Sequence, residues 1–224
     1  MASRYASQRS PIVPGAMLLR AIPTMAVVRH GDDHFPELLP GITLVSAQSQ
    51  HDDALLMIDE ALAAAHGGPS ALYAKARAAL RTRPVDLAPT GDARNGSATV
   101  WAVSGDEFIS GRLGLITTCL PEPWRGSLPA TGVVLAVPRA GLMLVHVPTG
   151  DGLARALGTM SSRARNEYDD GADPLSPFLY YISAQGLSQQ LSEYGPDGAR
   201  LIIQGPFRRV YEHFSAGHSV RRTD

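Results

Sequence analysis

The chain has 224 residues, 44% of them apolar and 18% charged, and a formal charge of −1. Its size suits one domain with a sizeable core, and its composition excludes wholesale disorder. The balanced charge excludes an overall basic field for nucleic acid or an anionic membrane, and no apolar run approaches the roughly 20 residues of a membrane span. Lys75 is the only lysine and lies outside any phosphate-binding motif, which excludes P-loop ATPases.

The first half of the chain is predicted to hold an arm, two strands and two helices. Residues 1–16 are polar and proline-rich, which indicates a flexible arm, and residues 17–224 are expected to form a single domain. The predicted elements are a strand over Met25–Arg29, an extended segment over Gly41–Ala47, a helix from near Asp52 to Gly67, and a helix from Pro69 to about Arg81. A polar connection over residues 84–97 follows.

The second half of the chain is predicted to consist mainly of strands. Two strongly apolar strands flank a short turn and form the best hairpin in the chain. The predicted elements are strands over 98–103, 132–138, 142–147, 178–183 and 199–204, and helices over 107–116, 151–168 and 207–214. Helices and strands do not alternate regularly. We therefore expect an α+β fold, largely an antiparallel sheet with helices packed on one face.

Residues 98–183 contain phrases that resemble a known family. They include Val-Trp-Ala-Val-Ser-Gly-Asp-Glu-Phe, Gly-Val-Val-Leu-Ala-Val-Pro-Arg, Leu-Met-Leu-Val-His-Val-Pro and Asp-Pro-Leu-Ser-Pro-Phe-Leu-Tyr-Tyr. Together with the Leu-Tyr-Ala-Lys-Ala-Arg helix they resemble an uncharacterised bacterial, YtpQ-like domain-of-unknown-function family that is common in actinobacteria. The resemblance implies a bacterial cytoplasmic protein with an α+β domain, and it implies nothing about catalysis.

One short loop could bind a metal. His30, Asp32, Asp33 and His34 place four possible ligands within five residues. Adjacent residues seldom all face one ion, so a polar turn between strands explains the loop more simply. We expect no metal and no cofactor, and we keep a metal-dependent hydrolase that uses this loop as an alternative function.

Two polar residues stand out in the apolar hairpin. Arg139 lies at its turn, and His146 interrupts the second strand. A buried, hydrogen-bonded histidine is the simpler interpretation, but polar residues on apolar strands also mark ligand clefts. A small-ligand sensor with its pocket beside the hairpin is therefore a second alternative.

No motif of a catalytic nucleophile is found in the sequence. No serine lies in a Gly-x-Ser-x-Gly elbow, and Cys119, the only cysteine, reads as a structural thiol in a reducing cytoplasm. The leading hypothesis is a non-catalytic binding or adaptor module whose partner is another protein. Trp124 and Arg125, in the proline-rich loop 121–131, are the residue types most common as interface anchors. The alternative for Trp124 is a lid folded onto the core.

Overall fold

The computed structural model describes residues 16–26, 36–49, 55–57, 60–90, 96–195 and 198–215. A 3₁₀ segment, Ile109–Cys119, lies among its helices and strands. In chain order these are β1 (Met17–Pro23), β2 (Glu37–Leu39), β3 (Ile42–Ser49), β4 (Leu55–Met57), α1 (Glu60–Ala65), α2 (Pro69–Thr82), β5 (Asp86–Thr90), β6 (Val100–Ser104), β7 (Val133–Arg139), β8 (Leu142–His146), α3 (Leu153–Asp170), β9 (Leu179–Ile182), β10 (Ser188–Gln190), β11 (Ser192–Gly195), β12 (Gly198–Leu201) and α4 (Gly205–Ser215).

The largest sheet has six strands in the order β10-β9-β7-β8-β6-β5, and every neighbouring pair is antiparallel. At its centre, β7 and β8 form the predicted hairpin, in which Leu135 pairs with Val145 and Ala136 with Leu144. Except at Arg139, the residues of both strands are buried. Strands covered on both faces read as continuous apolar runs, which explains their sequence.

A second sheet packs on one face of the first. In it β1 pairs with β3, and β3 also pairs with β2 and β4, all antiparallel. Leu19 and Leu44 of this sheet, Leu80 of α2, and Leu135 and Val145 of the six-stranded sheet belong to one buried cluster. This cluster is the larger of the two parts of the core.

Helices α3 and α4 cover the opposite face of the six-stranded sheet. Leu157 and Met160 of α3 are fully buried against strand residues such as Val134 and Leu144. Phe207 of α4 is 1% exposed and its ring centroid lies 5.2 Å from that of Tyr181. The α+β class and the largely antiparallel sheets are therefore confirmed.

Several predicted elements are confirmed. The predicted apolar strands are buried, with Val133, Leu135, Leu142, Leu144 and Ile182 each 8% exposed or less. The predicted helix over 69–81 is α2, that over 151–168 is α3 shifted by two residues, and that over 207–214 lies within α4. The predicted arm, residues 1–16, lies outside the described residues apart from Ala16.

Other local predictions are wrong. The segment Leu55–Met57, predicted as helix, is strand β4, because the edge of β3 offers it a backbone ladder that local spacing does not reveal. Met25 and Ala26, predicted to begin a strand, lie in a 3₁₀ turn, and the rest of that predicted strand, residues 27–29, lies outside the described residues. The strand observed before the turn is Met17–Pro23. Strand β5 lies in the segment predicted as a polar connection. It is an edge strand, and an edge tolerates Pro89.

Candidate functional site

An open groove lies beside the turn of the β7–β8 hairpin, where α3 ends. Its cavity volume is about 520 Å³. One wall is the last two turns of α3, and Arg139 at the end of β7 contributes to the other. The lining residues include Arg139, Arg163, Asn166, Glu167, Asp170 and Gly171.

The α3 wall follows from helical spacing. Arg163, Asn166, Glu167 and Asp170 stand at i, i+3, i+4 and i+7, which places them on one face of the helix. The buried residues of α3 form a different stripe that faces the sheet. The polar stripe is therefore available to line a surface groove.

Arg139 is held in place from two sides. Its Nε donates a hydrogen bond of 2.9 Å to Oε2 of Glu167, and the two side chains are 33% and 28% exposed. Its aliphatic stem packs against Gly171, where a Cβ atom would lie 2.6 Å from Cδ of Arg139. The guanidinium is thus fixed at the groove rather than free in solvent.

A second guanidinium shares the same carboxylate. Nε of Arg163 lies 3.7 Å from Oε1 of Glu167, an ion-pair distance longer than a hydrogen bond, and the Arg163 side chain is 29% exposed. Two positive charges thus flank one negative charge, since Arg139 binds the other oxygen of Glu167. These three side chains together carry a net positive charge.

A second carboxylate, that of Asp170, also lines the groove. Asp170 is exposed at the last residue of α3, where the helix dipole already places partial negative charge. Its neighbour Asp169 is bound by Arg165 at 2.6 Å. Among the described residues no ion pair or hydrogen bond is found for the Asp170 side chain, which lines the groove.

The chain that continues from the groove residues Gly171 and Ala172 is held against the hairpin and the second sheet. The N–H of Ala140 donates to the carbonyl of Asp173 at 3.0 Å, and the N–H of Leu175 donates to that of Pro138 at 2.9 Å. Arg20 of β1 forms an ion pair of 3.2 Å with the Asp173 carboxylate. These contacts tie the groove to both sheets, so its shape is preorganised.

His146 lies away from the groove. It pairs with Val134 at the far end of the hairpin, whereas Arg139 pairs with Leu142 at the turn. The side chain is buried, Nδ1 lies 2.8 Å from the carbonyl oxygen of Thr99, and Nε2 has no hydrogen-bond partner among the described residues. Burial lowers the pKa of the imidazole, and the hydrogen bond to Thr99 partly opposes this shift. Arg139 and His146 therefore do not form one site.

Trp124 and Arg125 occupy a third position. Trp124 is half-buried and packs against the larger core cluster, as the lid interpretation expects. Arg125 is exposed and lies 3.5 Å from both the Glu122 carboxylate and the carbonyl of Leu120. The loop presents Arg125 to solvent, while most of its aromatic surface is used by the core.

The candidate metal ligands His30, Asp32, Asp33 and His34 lie outside the described residues. Within the described residues, no group of three or more histidine, cysteine, aspartate or glutamate side chains is arranged to hold a metal ion. The candidate metal loop thus lies outside the described residues, and whether it binds a metal stays a prediction.

A buried polar cluster around Arg112 has a structural role. Nη2 of Arg112 donates to the carbonyl of Leu80 at 2.9 Å and to that of Arg83, and so closes the C-terminus of α2. Burial lowers the pKa of Arg112, and burial also raises the pKa of the neighbouring Cys119 thiol. Cys119 is 1% exposed and is a structural thiol, as its sequence context predicts.

Helix α3 begins without a side-chain cap. Its N-cap residue is Gly152, and no side-chain cap forms. Oδ1 of Asp151 accepts a hydrogen bond of 3.0 Å from Ser97 instead. A Cβ on Gly152 would lie 2.4 Å from the backbone of residues 97 and 98, so this glycine permits close packing rather than anion binding.

Sequence reasoning found Arg139 but missed the α3 side of the groove. The sequence did contain a sign of this wall. Acidic residues at the C-terminus of a helix interact unfavourably with its dipole, so their presence there suggests a role other than helix stability. Tyr180 and Tyr181 of β9 lie outside the groove lining. The Tyr180 hydroxyl is 2.7 Å from Oγ of Ser176, and that of Tyr181 donates to the carbonyl of Thr131.

Comparison of the chain with protein-family models, with curated proteins and with solved structures gives no match. Within the part of the chain that the structure describes, no helix combines the length and the apolar character that a membrane crossing needs.

Proposed function

We propose that the chain is a non-catalytic binding or adaptor module of the bacterial cytoplasm, and that it binds a partner protein through the groove beside Arg139. The bacterial and cytoplasmic setting comes from the family resemblance of residues 98–183. The binding surface comes from the geometry of the groove.

One observation carries the proposal: two partly exposed guanidiniums, Arg139 and Arg163, share a single carboxylate at the mouth of an open groove. Arginine presents several N–H donors in a fixed fork, and Glu167 takes only one of those of Arg139 as a hydrogen bond. The remaining donors favour recognition of a polar partner.

The shape favours a chain segment over an enclosed small molecule. Sites for small ligands bury most of the ligand surface in concave, largely apolar walls. Here the walls are charged, and the guanidiniums that line them are about one-third exposed. Arginine is also enriched at protein interfaces.

A small-ligand sensor remains the second candidate, because the groove lies beside the hairpin as that hypothesis requires and its volume falls within the range of ligand sites. The two candidate functions predict different molecules that copurify with the protein. A small ligand is found by mass spectrometry of the denatured protein, and a protein partner by affinity capture.

The test is affinity capture from the source cell with wild type, Arg163→Ala and Arg155→Ala. Arg155 is an exposed arginine on the same helix, distant from the groove, and serves as the matched control. We expect a captured protein whose dissociation constant, measured after its own purification, weakens in Arg163→Ala and stays unchanged in Arg155→Ala. Equal binding to all three proteins would refute the groove as the binding surface.

A further inference from the structure

The small two-stranded sheet formed by β11 and β12 has an open edge. Among the described strands β12 pairs with β11 alone, and all four of its residues are exposed. An unpaired edge presents backbone N–H and C=O groups that can accept another strand. The outer strands of the six-stranded sheet are less open. Pro89 of β5 has no N–H to donate, and the Gln189 side chain of β10 binds the start of α4.

The strand register shows which backbone groups of β12 are free. Leu201 pairs with Ser192 of β11. At the next position the N–H of Ile202 donates to the carbonyl of Leu191 at 2.7 Å. In an antiparallel pair, hydrogen-bonded and non-hydrogen-bonded positions alternate. Leu201 and, two residues earlier, Ala199 therefore direct their N–H and C=O groups away from β11, toward the open edge.

The residues with free backbone groups are also apolar. Ala199 is exposed, Leu201 is 36% exposed, and Ile203, two residues further, is 37% exposed. Arg200 is the one charged residue of β12, and its guanidinium lies 3.4 Å from the Glu193 carboxylate of β11. The open edge thus combines free hydrogen-bonding groups with apolar side chains, and the charge on the strand is balanced within the sheet.

We propose that β12 pairs in antiparallel register with β12 of a second copy of this chain, about a twofold axis at Leu201. Leu201 then lies opposite Leu201 of the second copy, and Ala199 lies opposite Ile203. The register joins apolar residues whose backbone groups are free, and Arg200 lies opposite Ile202. An axis at Arg200 would place two arginines opposite each other and would need backbone groups that face β11. The two sheets become one sheet of four strands.

The occupant follows from this self-complementarity. A twofold contact brings the same patch of both copies together, so the edge must match itself, and the axis at Leu201 satisfies that condition. A two-stranded sheet alone is only marginally stable, and two further strands stabilise it. The contact is small, since a standard interface has roughly 20–30 residues a side. We therefore expect a weak dimer whose population rises with concentration. This surface is separate from the groove, so the inference goes beyond the proposed function.

The experiment is sedimentation equilibrium of the full-length protein from micromolar to millimolar concentration. The variants are Leu201→Lys and Leu201→Glu, each alone and mixed in equal amounts. Met25→Lys is the control, because Met25 is 94% exposed and lies in the 3₁₀ turn after β1 of the second sheet. Thermal unfolding verifies that each variant is folded. Amide hydrogen exchange, followed by NMR, reports which N–H groups the dimer protects.

We expect wild type and Met25→Lys to dimerise equally. Leu201→Lys and Leu201→Glu should each weaken dimerisation about tenfold or more, because like charges replace two packed leucines at the axis. The mixture should associate more tightly than either variant alone, since opposite charges then meet. The N–H of Leu201 should gain protection as concentration rises, whereas that of Arg200, which faces β11, should not change.

A wild-type protein that stays monomeric at millimolar concentration would overturn the inference. So would a dimer that Leu201→Lys leaves unchanged, or a mixture that associates no better than its components. A monomer that captures a different protein through β12, and loses it in Leu201→Lys, would assign the edge to that protein and reject the second copy. Each of these results is independent of the groove, which is tested by Arg163→Ala.

Discussion

Arg139 and Gly171 pack so closely that a Cβ atom on Gly171 would lie 2.6 Å from Cδ of Arg139 and 2.2 Å from the carbonyl oxygen of Glu167. The same Glu167 binds the Arg139 guanidinium through its side chain. Because Gly171 has no side chain, the stem of Arg139 can pack against the end of α3, and this contact sets the position of the guanidinium in the groove.

The first prediction is that Gly171→Ala displaces Arg139 and destabilises the fold. Forcing a methyl group into a packed site costs about 1–3 kcal/mol, which urea denaturation can measure. Gly158→Ala is the control, because a Cβ on that exposed glycine of α3 would have nothing within 4 Å. It should be stabilising by up to about 1 kcal/mol, since alanine favours a helix over glycine. Equal effects of the two substitutions would contradict the packing argument.

The second prediction concerns pH. Burial lowers the pKa of His146 in the folded state below its value of about 6.5 in the unfolded state. As pH falls below about 6.5 the unfolded chain binds the proton first, so stability falls with pH until the folded-state pKa is passed. The contribution is fully present above the unfolded-state pKa.

His146→Asn tests this, because the asparagine amide can replace the Nδ1 donor to Thr99 but does not titrate. Urea unfolding from about pH 8 to about pH 5 should show a smaller loss of stability in the variant than in wild type. Identical pH dependence in the two proteins would show that His146 does not titrate differently on folding.

The third prediction concerns the core. Leu144 is fully buried between β8 and α3. Leu144→Ala should lower the free energy of unfolding by about 2–5 kcal/mol, the range for a leucine in a closed site. Leu187→Ala is the control, because Leu187 is 63% exposed and its loss should cost less than about 0.5 kcal/mol. A Leu144→Ala protein with the same free energy of unfolding as wild type would contradict the placement of Leu144 in the core.

The central hairpin was predictable from sequence for a physical reason. Residues 133–137 and 142–145 are unbroken, β-branched apolar runs on either side of a short turn, and strands buried on both faces typically carry such runs. The same reasoning fails for β4 and β5. Leu55–Met57 becomes a strand because β3 pairs with it, and Pro89 is accepted because β5 is an edge. Both facts belong to the tertiary structure.

Only part of the groove was predictable from the sequence. Arg139 is conspicuous at the turn of an apolar hairpin, so sequence alone marks it. The face formed by Arg163, Glu167 and Asp170 is also readable as helical spacing. What sequence does not show is that α3 ends beside the hairpin turn, because that contact follows from packing between elements far apart in the chain.

The fourth prediction concerns metal. His30, Asp32, Asp33 and His34 lie outside the described residues. We expect protein purified without a histidine tag to contain no stoichiometric zinc, iron or manganese, because a run of adjacent donors lacks the distant ligands that complete a coordination shell. Elemental analysis by mass spectrometry gives the answer. One bound equivalent, lost in a His30→Ala/His34→Ala double mutant, would support the hydrolase instead.

The last prediction separates the two interpretations of the proline-rich loop. Trp124 packs against the core, whereas its polar neighbours Glu122 and Arg125 are exposed. Trp124→Ala should therefore lower the free energy of unfolding, by about 2 kcal/mol. That is less than the 3–5 kcal/mol of a fully buried aromatic, because the side chain is only half-buried.

Arg125→Ala is the matched control in the same loop. Its ion pair with Glu122 joins side chains that are 54% and 70% exposed, so its removal should change stability by less than about 0.5 kcal/mol. Unfolding curves of the two variants decide between a lid and an interface anchor. A Trp124→Ala protein that keeps wild-type stability but no longer captures the partner would assign the loop, rather than the Arg139 groove, to binding.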